Sequence, residues 1–121
     1  MNSLIGIWMY ASLIYQGQPI PKPNPDLKMY YTFKSDQQNE IYYFRENENG
    51  FCRRTASYEV LDNTRLVQKV IEVDPDNADF CGQDPDMQLG TATEVKFEIK
   101  NDKLYLELQL GEDTLVYVWE K

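Results

Sequence analysis

The chain has 121 residues, enough for one domain with a modest core, and a formal net charge of −8. That acidic balance, with no basic run longer than Arg53-Arg54, argues against a nucleic-acid reader and against binding to an anionic lipid surface. Histidine is absent, which removes the usual general base, the Ser-His and Cys-His nucleophile pairs and the commonest zinc or copper ligand, so the chain reads as a non-enzyme without cofactor or metal.

Period-two alternation divides residues 1–121 into eight strand-like segments of a single domain, with almost no helical signal between them. The first strand covers residues 3–11. The apolar run from Leu4 to Tyr15 lacks a basic leader and a small-residue cleavage site, and is too short to span a bilayer, so it reads as strand. Residues 17–25 hold Pro19, Pro21, Pro23 and Pro25 and read as a stiff flap outside any ladder, part of a long loop over residues 12–26. The second strand follows at residues 27–34, with Met29, Tyr31 and Phe33 on one face. A turn over residues 35–39 leads to the third strand, 40–46, and residues 47–50 (Asn-Glu-Asn-Gly) form a hairpin signal.

The fourth strand spans residues 51–60 and turns at 61–64 into the fifth, 65–74. A second long loop, 75–90, precedes the sixth strand, 91–100, where Val95, Phe97 and Ile99 alternate with Glu94, Lys96 and Glu98. Asn101-Asp102 turns this into the seventh strand, with Leu104, Leu106, Leu108 and Leu110 on one side, and residues 111–113 lead to the eighth, 114–120. In up-and-down order the short turns at 35–39, 61–64 and 101–103 share one end, and both long loops share the other. One tight end and one loop-rich end predict an all-β, eight-stranded antiparallel up-and-down barrel with a mouth.

Several residues acquire roles in that frame. Cys52 and Cys81 fall at the same end of the barrel, so a bridge would pin the 75–90 loop to the rim; two half-buried thiols are the alternative. Tyr31, Phe33, Tyr43, Leu106 and Tyr117 are expected inside, either lining a cavity or filling the core. If Ala56, Tyr58 and Val60 face inward, Arg54 joins them by alternation. A guanidinium there, or at Arg45, needs an anion: a ligand carboxylate or phosphate, or an internal partner such as Glu59 or Glu72. Asp74, Asp76, Asp79, Asp84 and Asp86 crowd the second long loop, but without calcium-loop spacing they read as turn formers.

Gly6-Ile7-Trp8 on the first strand of eight, ahead of a long first loop, resembles the start of the lipocalin and fatty-acid-binding-protein superfamily, the calycins. Residues 115–119 also resemble the last strand of a small lipocalin-like domain. The missing Gly6 side chain is expected to leave room for the Trp8 indole across the floor. In such proteins a basic residue after the last strand packs on the tryptophan, and Lys121 alone stands in that place. The resemblance implies binding of a small hydrophobic or amphipathic ligand, anionic in one version, with Tyr31, Phe33, Tyr43, Arg45, Arg54, Tyr58, Leu106 and Tyr117 as its contacts. The alternative is a protein partner met through the mouth loops, as in an exported enzyme inhibitor. A disulfide would favour a periplasmic or secreted chain whose signal has been removed; a cytosolic chain is the other reading.

Overall fold

A computed structural model describes residues 3–121, apart from the Leu110 side chain, so the expected inward position of that residue lies outside the described residues. The strands are β1 (Gly6–Tyr15), β2 (Gln18–Pro21), β3 (Leu27–Phe33), β4 (Gln38–Arg45), β5 (Phe51–Leu61), β6 (Arg65–Val73), β7 (Ala92–Lys100), β8 (Lys103–Leu110) and β9 (Asp113–Glu120). From β3 to β9 each strand pairs antiparallel with the next, and β1 joins β3 to β9, closing an eight-stranded up-and-down barrel. Closure leaves the eight-strand wall without free edges. The architecture is consistent with a calycin-like fold.

Turn chemistry sets the tight end. Asn101 and Asp102 connect β7 to β8 at φ 53° and 61°, and Asp62 and Asn63 start the β5–β6 turn at 55° and 58°. Such left-handed conformations suit the short polar side chains of Asn and Asp. Asn39, expected in a turn, instead belongs to β4 and is fully buried.

The proline-rich flap is also different from expectation. β1 continues to Tyr15, Gln16 and Gly17 turn at φ 51° and 76°, and β2 pairs back with Tyr15↔Gln18 and Ser12↔Pro21. In a two-residue hairpin the closing pair exchanges hydrogen bonds, so Pro19 and Pro21 fall where a strand's N–H points away from its partner. The prolines therefore join the ladder as an edge strand and remove donors from its outer side. All four β2 residues are exposed. A bulge near Ala11, between the Tyr10↔Trp119 and Ser12↔Val118 pairs, shifts alternation so that both Tyr10 and Leu13 are buried.

The interior changes character along the barrel axis. At the tight end Trp8, Tyr31, Phe33, Leu66 and Leu104 are each 2% exposed or less. Trp8 donates its Nε1–H to the Leu4 carbonyl at 2.9 Å, and Lys121 Nζ lies 4.8 Å from its ring centroid. Gly6 makes room for Lys121 and not, as expected, for the indole: with φ at +132°, an added Cβ would sit 3.2 Å from Lys121 Nζ. At the loop end the inward residues Leu27, Met29, Val95 and Tyr117 are only half-buried.

Candidate functional site: the mouth cavity

β6 pairs with β7 from Arg65↔Lys96 to Lys69↔Ala92, and Val70 bonds on to Thr91 and Gly90, so the wall parts above Val70. Residues 74–91 fill that gap with two short 3-10 turns, Asp79–Gln83 and Pro85–Met87, which were not anticipated. The Cys52–Cys81 disulfide ties this segment to β5, with Cα atoms 5.7 Å apart. Both cysteines and Met87 are buried. Backbone bonds add to the tether: Ala78 N–H donates to the Phe51 carbonyl at 3.0 Å, and Gly90 N–H to that of Val70 at 2.9 Å. The Gln88 side-chain amide donates to the carbonyls of Cys81, Gly82 and Asp84. A loop whose polar groups are paired in this way is a preformed wall.

Between this loop and the filled floor lies a cavity of about 360 Å³, near the small end of the roughly 300–1,000 Å³ typical of ligand pockets. Its apolar lining includes Leu27, Met29, Ile41, Val95, Leu106 and Leu108. Tyr31, Tyr43, Tyr117 and Trp119 supply aromatic faces, and Arg45, Gln68, Asp84, Asp86 and Thr93 supply polar groups. Of the expected ligand contacts, Tyr31, Tyr43, Arg45, Leu106 and Tyr117 line this cavity.

Phe33, Arg54 and Tyr58 do not line the cavity; they pack below it. Phe33 is 1% exposed and stacks on Tyr31 at 4.4 Å, while Tyr58 donates its hydroxyl to the Lys34 carbonyl at 2.9 Å. Arg54 faces inward, as alternation with Ala56 and Tyr58 requires, and is 2% exposed. Its Nη1 donates to Asn39 Oδ1 and, at 3.4 Å, to the Asn39 carbonyl. Its guanidinium carbon lies 5.5 Å from the Tyr31 ring centroid, and its Nε is buried without a partner. Glu59 and Glu72, the suggested counter-ions, are exposed, and no carboxylate lies within 4.0 Å of Arg54 among the described residues.

Gln68 Oε1 accepts from both the Tyr31 hydroxyl and, at 2.9 Å, Asn39 Nδ2. Arg54 itself does not line the cavity, whereas Tyr31 and Gln68 do. Sequence reading missed Asn39, Gln68, Trp119 and the cavity-facing role of Asp84 and Asp86. The inward period of β6 (Leu66, Gln68, Val70) is the one signal that could have found Gln68.

The acids of the loop have specific uses. Asp74 Oδ1 accepts from the Asp76 N–H at 2.8 Å, and its Oδ2 lies 3.5 Å from Arg53 Nη1. Asp84 Oδ1 caps the second 3-10 turn by accepting from the Asp86 N–H at 2.9 Å, and its Oδ2 accepts from the Tyr43 hydroxyl at 2.7 Å. Among the described residues no three acidic, cysteine or histidine side chains converge as a metal site.

Burial raises the pKa of Tyr43, with the bond to Asp84 adding to the effect, and burial likewise raises those of Tyr31 and Tyr117. These phenols remain neutral donors near neutral pH. Tyr10, buried beside Tyr117, is pushed up to about 12. Asp86 is raised above the usual carboxylate range, first by desolvation and then by Asp84, with Arg54 acting in the opposite direction. Asp86 nevertheless keeps an exposed part, as a residue at the lip of an open cavity should.

Comparison with known proteins adds no relative: no protein-family model matches the chain, and no curated protein matches it.

Proposed function

We propose that this barrel binds a small apolar or amphipathic molecule in its mouth cavity, in the manner of a lipocalin-like carrier. The observation that carries the reading is the preformed cavity, aromatic and apolar in most of its lining, with a few polar groups at its edges. The lipocalin-like version draws support from the floor, where Lys121 packs on the Trp8 ring as the resemblance implies. The buried disulfide favours an oxidising compartment, so we place the protein in the periplasm or outside the cell. No helix among the described residues is long and apolar enough to cross a membrane.

A second reading, a protein partner held at the rim, is favoured by the exposed β2 hairpin, whose Ile20 is 37% exposed. Native mass spectrometry of gently purified, unreduced protein separates the two. Excess mass matching a small molecule is the expected result. A clean apo mass, together with failure to enhance the fluorescence of the neutral dye N-phenyl-1-naphthylamine, would overturn the cavity reading and leave the rim.

A further inference from the structure

Charge at the cavity is distributed unevenly in depth. Three side chains that can carry charge line it: Arg45, Asp84 and Asp86. Arg45 is already engaged, with Nη1 3.7 Å from Glu48 and its guanidinium carbon 5.5 Å from the Phe80 ring centroid. Asp84 has an acceptor bond on each oxygen. The Asp86 carboxyl receives no hydrogen bond and no ion pair from the described residues, and Arg54 acts on it only through space, so it is the lining carboxyl without a direct partner. Arg54 is buried, bonded to Asn39 and absent from the cavity lining, whereas a molecule in the cavity touches the two aspartates directly. Coulomb attraction falls with distance and with intervening polar groups, so the aspartates outweigh Arg54 at the mouth.

The inner wall has an opposite need. Trp119 lines the cavity, is 3% exposed, and holds its Nε1 donor buried with no acceptor. Indole and phenol faces around the space (Tyr31, Tyr43, Tyr117 and Trp119) attract cations as well as apolar groups. The site is therefore polarised, with an aromatic inner wall and an unpaired carboxyl at its lip.

We infer that the occupant of this cavity is a small amphipathic amine, its ammonium group at Asp86 and its apolar body packed inward against Met29, Leu106, Tyr117 and Trp119. This rests on the cavity-binding reading and reverses the sign of the anionic ligand that an internal arginine first suggests. The charge-assisted contact with Asp86 selects the head group, and the cavity volume limits the body to a short chain or a ring pair.

The test is displacement of bound N-phenyl-1-naphthylamine by octylamine, octanol and octanoate at pH 7, probes matched in body and differing in head. Octylamine is expected to bind roughly tenfold more tightly than octanol, and octanoate more weakly than both. In Asp86→Asn the amine-to-alcohol ratio should fall towards one, with the urea midpoint recorded to show that the variant is folded. Should that variant fail to fold, the wild-type order of the three heads still decides. Equal affinities, or octanoate as the tightest binder, would overturn the inference and leave cavity binding standing. Absence of any dye binding would remove the cavity reading, and this inference with it.

Discussion

The two ends of the same strands differ more than any two strands do. On β3, Tyr31 and Phe33 are 2% and 1% exposed, whereas Leu27 and Met29, facing the same interior, are half-buried around open space. The floor is closed by large rings and by a buried Arg54 held on Asn39; the mouth is walled by a disulfide-tied loop and left unfilled. Stability and the proposed binding are thus divided along the barrel axis. Filling the mouth would strengthen the core and remove the site, so the half-burial there is what a cavity requires.

The sharpest way to break that division is to remove a large side chain at each end. Trp8→Ala should cost about 4 kcal/mol in urea unfolding, because the floor cannot collapse around the lost indole. Met29→Ala should cost below about 1 kcal/mol, since its side chain already borders empty space. Similar costs at the two positions would show that the mouth is packed in solution.

Next in size is the tether. Replacing both cysteines by serine opens a link across 29 residues of sequence separation; chain entropy alone puts its contribution at about 3.5 kcal/mol. Hydrogen exchange should show the loss first in residues 74–91, with amides of β7 and β8 protected until global unfolding. Uniform loss of protection would mean that the loop and the barrel open as one unit.

Arg54→Met tests the boundary between floor and cavity. A buried guanidinium without a counter-ion is costly, and an apolar side chain of similar length removes that cost. The variant should match the wild type or exceed it by about 1 kcal/mol, and should retain binding of the neutral dye. Destabilisation by several kcal/mol would show that the Asn39 bonds outweigh the cost of burying the charge.

How much of this was visible in sequence follows the same axis. The alternation of Val95, Phe97 and Ile99 against charged neighbours placed β7, and the positions of the short and long connections placed the barrel ends and brought Cys52 near Cys81. Arg54 could be turned inward from Ala56 and Tyr58 alone. Local pattern fails where a tertiary feature interrupts it. The bulge near Ala11 breaks the period in β1, and a second at Ile71 does so in β6. Pro19 and Pro21 read as ladder breakers because sequence does not show that β2 has a free outer edge. Asp84 and Asp86 read as turn formers, which they are, but only the path of the 3-10 turns brings them to the cavity. The site was less legible than the fold because two of its five polar lining residues, Asp84 and Asp86, come from a loop without period.

The smallest effect concerns the floor's lid, where Gly6 and Lys121 meet. Gly6→Ala should cost about 1 kcal/mol, partly from φ at +132° and partly from an added Cβ 3.2 Å from Lys121 Nζ. Lys121→Ala should cost about 0.5–1 kcal/mol through its lost contact with the Trp8 ring and with the Ile5 carbonyl, which it meets at 3.2 Å. In the double variant the steric part disappears, because the lysine that the new methyl would displace is gone, and only the backbone strain and the lost contact remain. The two costs should therefore sum to more than the double variant shows, measured as a coupling in urea unfolding. Strict additivity would mean that Lys121 moves aside freely and that backbone conformation alone selects glycine at position 6.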